Sequence, residues 1–423
     1  MSNPKSILKD IYTKGFFHLF SANSLIHLIE FGSQLFVAWI LLADDIGRIK
    51  SFQTYAAVGV VIAGVGFNTS ILKLCSEKNM KDHQKQNLFL AALKTTFLFS
   101  GVVILLVVVL SYFNFISNDS ITNKWFIYYS LSIPLLAVNN LLVAYYQALK
   151  AFKKVSVLLV IVRIIHVALI ITLTYNYGLK GFIIGIIIGF LISVILLLVK
   201  SGIHFNLWKQ TDKHHYLQNW ELAKYAFLGN AINMITRYLD VFLLNQLIHN
   251  PNELGYYGFA LTLIAGLQIV TTTTQQFVTP FYSEFSENKT QIKRAFKRSN
   301  RLFMLVILVV SILAAIMVPF IIKIVFSGKY DHSIFYFQIL TIVWLIRSSV
   351  SLKGPFLLAI GKINVVFYIM LKVLLISIIP CYLLVLNYGI KGALYGQLFS
   401  AIVFFILVNF GFRKELHHYL KLK

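Results

Sequence analysis

Acidic side chains are scarce in this chain: 15 Asp and Glu stand against 38 Lys and Arg in 423 residues. Charged residues of both signs make up only 13% of the chain, too few for the surface of a water-soluble protein of this size. There are two cysteines, Cys75 and Cys381, far apart in the sequence. That excludes a disulfide framework and a cysteine-based metal site. Enzyme signatures are missing as well. No paired-carboxylate loop, no metal-spaced His/Cys cluster and no phosphate-cradling glycine loop occurs. His214–His215 and His417–His418 are adjacent pairs whose side chains would point about 100° apart on a helix, a poor metal geometry. Asp44–Asp45 and Asp331–His332 read as turn or capping residues.

What the chain does have is apolar length. Hydrophobic residues make up 58% of it, and the mean hydropathy is +0.77. Runs of about 20 apolar residues, enough to cross a bilayer as helix, recur from end to end. Twelve helices are predicted, at 16–41, 52–74, 88–113, 125–149, 155–175 and 179–200, then 222–248, 255–281, 302–326, 333–359, 363–386 and 390–411. The first run holds His27 and Glu30, is too long for a signal-peptide core and has no small-residue cleavage site, so it is expected to be retained. An even number of spans puts both termini on one side. With that side inside, Arg48, Lys50, Lys124, Lys180, Lys329 and Lys391 are the only basic residues of the outer loops. The excess of inner-loop lysine and arginine makes both termini cytoplasmic. It also accounts for the net charge of +23 without nucleic acid, for which no basic soluble domain exists.

The chain repeats itself. Asn176–Gly181 reads NYGLKG and Asn387–Gly392 reads NYGIKG, an offset of 211. LADDIG ending at Gly47 and NPNELG ending at Gly255 match at offset 208. The expected organisation is an N-terminal six-helix lobe over 1–200, a polar linker over 201–220, a C-terminal six-helix lobe over 221–412 and a basic tail over 413–423. Six helices per copy, an even number, gives the copies parallel topology.

Two helices carry polar seams. In the seventh, Asn230, Asn233, Arg237 and Asp240 fall within a stripe about 80° wide. In the first, Asn23, His27, Glu30 and Gln34 fall within about 60°, and an offset of 207 sets Asn23 on Asn230 and Glu30 on Arg237. A charge at the bilayer centre costs at least about 2.5–3.5 kcal/mol, so both seams should face water or protein, and one aqueous cavity between the two halves is expected. Arg237 and Asp240, three residues apart, can pair along the helix. The eighth helix has an uncharged stripe of Gln268, Thr272, Gln275 and Thr279. Intramembrane acids are Glu30 and Asp240, whereas Arg163, Arg237, Arg347, Lys353 and Lys372 are basic. The cationic surplus calls for an anionic guest, and arginine suits phosphate oxygens. Pro134, Pro280, Pro319, Pro355 and Pro380 lie inside predicted helices, where each can introduce a kink.

ANSLIHLIEFGSQLF with LADDIGRIKSFQTYAAV, and GNAINMITRYLDVFLLNQLI with NELGYYGFALTL, resemble the openings of the two halves of polysaccharide exporters in the multidrug/oligosaccharidyl-lipid/polysaccharide superfamily. YYQALKAFKKVSVLLVIVR and both NYG-[LI]-KG elements fit the same pattern. The resemblance implies an all-α polytopic membrane protein of two parallel six-helix repeats, with the two-lobed architecture of the multidrug (MATE) exporters. It implies a central cavity lined by the first, second, seventh and eighth helices. It also implies the flipping of an undecaprenyl-pyrophosphate-linked oligosaccharide, an O-antigen or capsule repeat unit, across a bacterial inner membrane. A polysaccharide polymerase and a chain-length regulator are the partners it suggests. Lipid II flippases of the superfamily have fourteen helices rather than twelve.

The expected binding set for pyrophosphate and sugar is Arg163, Arg237, Arg347, Lys372, Lys353, Asn230, Asn233 and Gln275. Glu30, His27 and Asp240 are the candidates for coupling to H+ or Na+. No cofactor, metal or catalytic residue is expected. Two alternatives stand beside this reading. One is a multidrug cation antiporter of the same superfamily, whose substrates the positive surplus would repel. The other is a membrane glycosyltransferase or polymerase, which would need a substantial outer loop.

Overall fold

Hydrocarbon offers a peptide group no hydrogen-bonding partner, so a chain of apolar runs has to satisfy its backbone within helices. The computed structural model describes residues 16–77, 80–203, 213–248, 250–285 and 288–421, and these contain helices and turns but no strand. In chain order the helices are α1 Phe16–Ile40, α2 Ala43–Gly64, α3 Phe67–Leu74, α4 Asp82–Tyr112, α5 Ser120–Tyr129, α6 Ser132–Ala148 and α7 Phe152–Ser201. They continue as α8 Lys213–Leu247, α9 Pro251–Glu284, α10 Lys289–Val325, α11 His332–Ser349, α12 Lys353–Ala359 and α13 Ile363–Lys421.

The twelve expected spans are all here, some joined and some broken. The 50 residues of α7 and 59 of α13 would reach about 75 and 88 Å at 1.5 Å per residue, more than twice a bilayer's hydrocarbon thickness. Each folds back on itself at the glycine of its NYG element. Gly178 has φ 59° and ψ −138°, and Gly389 has φ 57° and ψ −129°, a region side chains avoid. The hairpins are the same in detail. A Cβ on Gly181 would lie 1.8 Å from the Leu173 carbonyl oxygen, and one on Gly392 would lie 1.9 Å from that of Leu384. Gly178 sits against Leu41 at the end of its copy's first helix, and Gly389 against Ile248 at the end of the other's. The sequence repeat is therefore a structural repeat.

Other spans are bent pairs, α2 with α3 at 47° and α5 with α6 at 43°. Pro134 and Pro355, expected within helices, instead occupy the first turns of α6 and α12, where the missing N–H costs nothing. Pro280, Pro319 and Pro380 do lie inside helices. Side-chain caps set several starts: Asp119 accepts from the amides of Ile121 and Thr122, Asn250 from Asn252 and Asn288 from Gln291.

Two stretches differ from the sequence reading. LADDIG is not a loop, because α2 begins at Ala43. Arg48 donates to Asp44 at 2.8 Å and to Asp45 at 2.9 Å, four and three residues back, so the acid pair serves the first turn of a helix. Of the expected linker, Ser201 ends α7 and the part from Lys213 is helix and belongs to α8; residues 204–212 lie outside the described set. His214–His215 and His417–His418 are also helical. Among the described residues no group of three or more potential metal ligands occurs.

By contacts the chain forms two compact units, Met1–Leu41 with Ser51–Met234, and Leu42–Lys50 with Ile235–Lys423. In the first, α3, α4, α6 and α7 close around Phe67, Ile71, Leu88, Leu141 and Leu197, with the Phe89 and Tyr145 rings 4.8 Å apart. Asn219 of α8, fully buried, ties this core together. It accepts from Ser70 Oγ at 2.7 Å and donates to the Leu88 carbonyl at 3.0 Å. In the second unit α11 packs against α9, α10 and α13, and Phe259 stacks on Tyr330 with centroids 4.0 Å apart. There the first turns of α2 and α9 meet backbone to backbone. A Cβ on Gly47 would lie 2.7 Å from the Pro251 carbonyl oxygen, and one on Gly255 would lie 1.8 Å from that of Ala43.

Candidate functional site

Six of the helices are apolar enough to cross a membrane individually, and the two bent pairs are so when each is taken as one span. The full-length helices outside that set are α1 and α8. They are the two that carry polar seams at matching places in the repeat, and the seams are what lower their hydropathy. Five of the seven intramembrane charges, Glu30, Arg163, Arg237, Asp240 and Arg347, lie on these two helices or on helices facing them.

In the first unit Arg163 of α7 reaches Glu30 of α1, Nη2 to Oε1 at 2.6 Å, and His27 Nδ1 lies 3.4 Å from the other carboxylate oxygen. His166, one turn beyond Arg163, is buried. Its ring fits beside Gly189, where a Cβ would fall 2.0 Å from Cδ2, and it meets Phe190 edge-on at 4.7 Å. The spacing in the sequence set Arg163 with His166 and Glu30 with His27. Bringing the two pairs together is tertiary packing, since α1 and α7 form one of the main helix contacts of the unit.

In the second unit the Arg237–Asp240 pair that the spacing permits does not form. Arg237 is exposed, donates to Gln268 Oε1 on α9 at 3.0 Å and lies 5.6 Å from the centre of the Tyr238 ring. Asp240 is buried and accepts a hydrogen bond from the Tyr257 hydroxyl. The reason is the helix surface itself: three residues advance the direction by 300°, leaving 60° between side chains, and here one turns to α9's polar stripe and the other inward. Facing Asp240 across a small cavity is Arg347 of α11, which donates to Gln397 at 3.0 Å and Ser400 at 3.2 Å on α13. The cavity, about 10 Å³, has room for roughly one water. Lys50 of α2, assigned to an outer loop by the sequence reading, is within electrostatic reach of Asp240 and Arg237.

The remaining expected residues are scattered. Lys353 bonds Asn409 and sits 5.3 Å from the centre of the Phe412 ring. Gln275 donates to the Ser351 carbonyl at 3.0 Å. Lys372 is exposed on α13, and Asn230 and Asn233 lie half-buried and exposed on the stripe of α8. Sequence reasoning missed Tyr257, Gln397, Ser400 and Lys50. For Lys50 a signal existed, because the i, i+3, i+4 spacing of Asp44, Asp45 and Arg48 marks helix through that stretch.

The family model described as "Polysaccharide biosynthesis protein" matches residues 36–335. No curated protein sequence matches the chain. Among solved structures, the fold is shared with an inward-facing multidrug resistance MATE family transporter of the MOP superfamily, at TM-score 0.77 and 12% identity over 95% of this chain and 96% of that one. The lipid II flippase MurJ in an inward closed conformation matches at TM-score 0.71 and 17% identity, over 95% and 90%. A MATE transporter of Vibrio cholerae matches at TM-score 0.65 and 14% identity, over 99% of each chain.

Proposed function

Because the chain belongs to the polysaccharide biosynthesis protein family, we propose that it is a flippase for an undecaprenyl-pyrophosphate-linked oligosaccharide. The cargo would be an O-antigen or capsule repeat unit, moved across the bacterial inner membrane by alternating access. The observation that carries this reading is Arg237. It is an exposed guanidinium on a membrane-crossing helix, and its partners are the neutral Gln268 and Tyr238. A cation in that position is held for something anionic, and a pyrophosphate can take a guanidinium's paired N–H groups two at a time.

Arg347, Lys353 and Lys372 add positive charge in the same unit, and neutral amides hold the first two. Asn230, Asn233 and Gln275 supply donors and acceptors for sugar hydroxyls. Arg163 is engaged by Glu30, so we assign Glu30, His27 and Arg163 to holding α1 against α7. Asp240 is then the candidate for coupling to H+ or Na+: it lines the cavity, and its Oδ1 is buried without a hydrogen bond among the described residues. The basic bias of the alternate loops supports a cytoplasmic side for both termini. An organic cation would be repelled by the same charges.

Arg237→Ala should abolish export of the lipid-linked oligosaccharide at normal membrane levels of the protein, and Arg237→Lys should keep part of it. Undiminished export after neutralising Arg163, Arg237 and Arg347 together would remove the reading.

A further inference from the structure

The second unit has a crevice that the transport reading does not use. It lies between α10, α11 and α13, has a volume of about 560 Å³ and is lined by Leu305, Leu308, Leu345, Ile402 and Phe405, with Arg301 at its rim. The protein does not fill it. Leu305 remains 56% exposed, Leu308 47% and Ile402 44%, and exposed apolar side chains continue along α10 at Val309, Ile312 and Ile316. The crevice therefore opens onto the hydrocarbon of the bilayer.

Charge fixes its level in the membrane. The first third of α10 carries Lys289, Lys293, Arg294, Lys297, Arg298 and Arg301, whereas from Leu302 to Val325 only Lys323 is charged. That apolar part is about 36 Å long at 1.5 Å per residue, enough to span the hydrocarbon, so Arg301 stands at the level of the lipid headgroups. Lys297 and Arg298, one turn earlier, share its face and are exposed. None of the ion pairs or hydrogen bonds among the described residues engages Arg301.

We propose that this crevice binds an anionic phospholipid of the bilayer, with one acyl chain between α10, α11 and α13 and the headgroup phosphate on Arg301, supported by Lys297 and Arg298. A groove with apolar walls excludes a soluble anion, and a basic rim selects against zwitterionic lipid, in which a choline would meet the same cations.

Native mass spectrometry of the full chain, released from mixed micelles, tests this with three probes: dioleoyl phosphatidylglycerol, dioleoyl phosphatidylcholine and a polyprenyl monophosphate. The protein should retain phosphatidylglycerol preferentially. Arg301→Gln should weaken that retention about fivefold, the equivalent of ~1 kcal/mol for one basic contact at a membrane surface. Leu308→Trp, which fills the crevice, should also reduce it. Leu313→Trp, on another face of α10 and equally exposed, should not. Equal retention by the parent and both site variants would overturn the proposal. So would phosphatidylcholine held as well as phosphatidylglycerol, or the polyprenyl phosphate displacing phosphatidylglycerol at equal concentration.

Discussion

Neutralising the Glu30–Arg163 contact separates a structural role from a substrate role. The two side chains join α1 to α7 at 2.6 Å, with the carboxylate 31% and the guanidinium 24% exposed. With charge centres ~4 Å apart and an effective dielectric constant of ~20, their attraction is about 4 kcal/mol. Partial exposure screens that figure and leaves each ion some of its hydration. The coupling should therefore fall between the ~1 kcal/mol ceiling of exposed pairs and the ~3–5 kcal/mol cost of breaking a buried one. We expect about 1–2 kcal/mol. Arg163→Gln alone leaves Glu30 with only the imidazoles of His27 and His166 nearby, so each single variant should destabilise. Glu30→Gln with Arg163→Gln should recover most of the loss, because the paired amides remain hydrogen-bonded. The assay is a double-mutant cycle on unfolding in mixed detergent micelles, run beside an export assay in cells. Additivity within ~0.3–0.5 kcal/mol would refute the energetic argument. A double variant that regains stability but not export would refute the assignment of Arg163 to structure and return it to the substrate.

Four further substitutions, with one control, follow from the packing. Asn219→Leu should cost about 1–3 kcal/mol, because it takes away the buried Ser70 hydroxyl's acceptor and the Leu88 carbonyl's side-chain donor, measured by the same unfolding assay. Gly255→Ala drives a methyl into the Ala43 carbonyl and should cost at least ~1–3 kcal/mol as overpacking. Gly64→Ala, where a Cβ meets nothing within 4 Å, is the neutral control, and equal yields of folded protein from the two would count against the close crossing. Gly178→Ala and Gly389→Ala should each lose about 1–3 kcal/mol to backbone strain. Since the two hairpins have the same geometry, losses that differ greatly would contradict it.

The helices were legible because lipid leaves an apolar run of 20 residues one way to satisfy its backbone. The hairpins were legible because a hexapeptide ending a helix and opening the next carries its geometry locally, in Gly178 and Gly389. Breaks within spans were not. The apolar pattern runs unaltered through Ser130–Leu131 and Ser351–Leu352, so Pro134 and Pro355 looked interior when they open new helices. The seams on α1 and α8 could be read from periodicity, but their partners could not. Glu30 and Arg163 are far apart in sequence, and one chain alone has no signal for that contact. Arg237 and Asp240 show the opposite error: a spacing that permits pairing does not require it, and Gln268 and Tyr257 offered each side chain a separate partner.

The crossing of α2 and α9 has a consequence for descent. Gly47 presses on the residue four before Gly255, and Gly255 on the residue four before Gly47, so each position touches the counterpart of its own neighbour. Neither glycine can take on a side chain without pressing on the other helix's backbone, so through any divergence of the repeat the two positions have to stay small together.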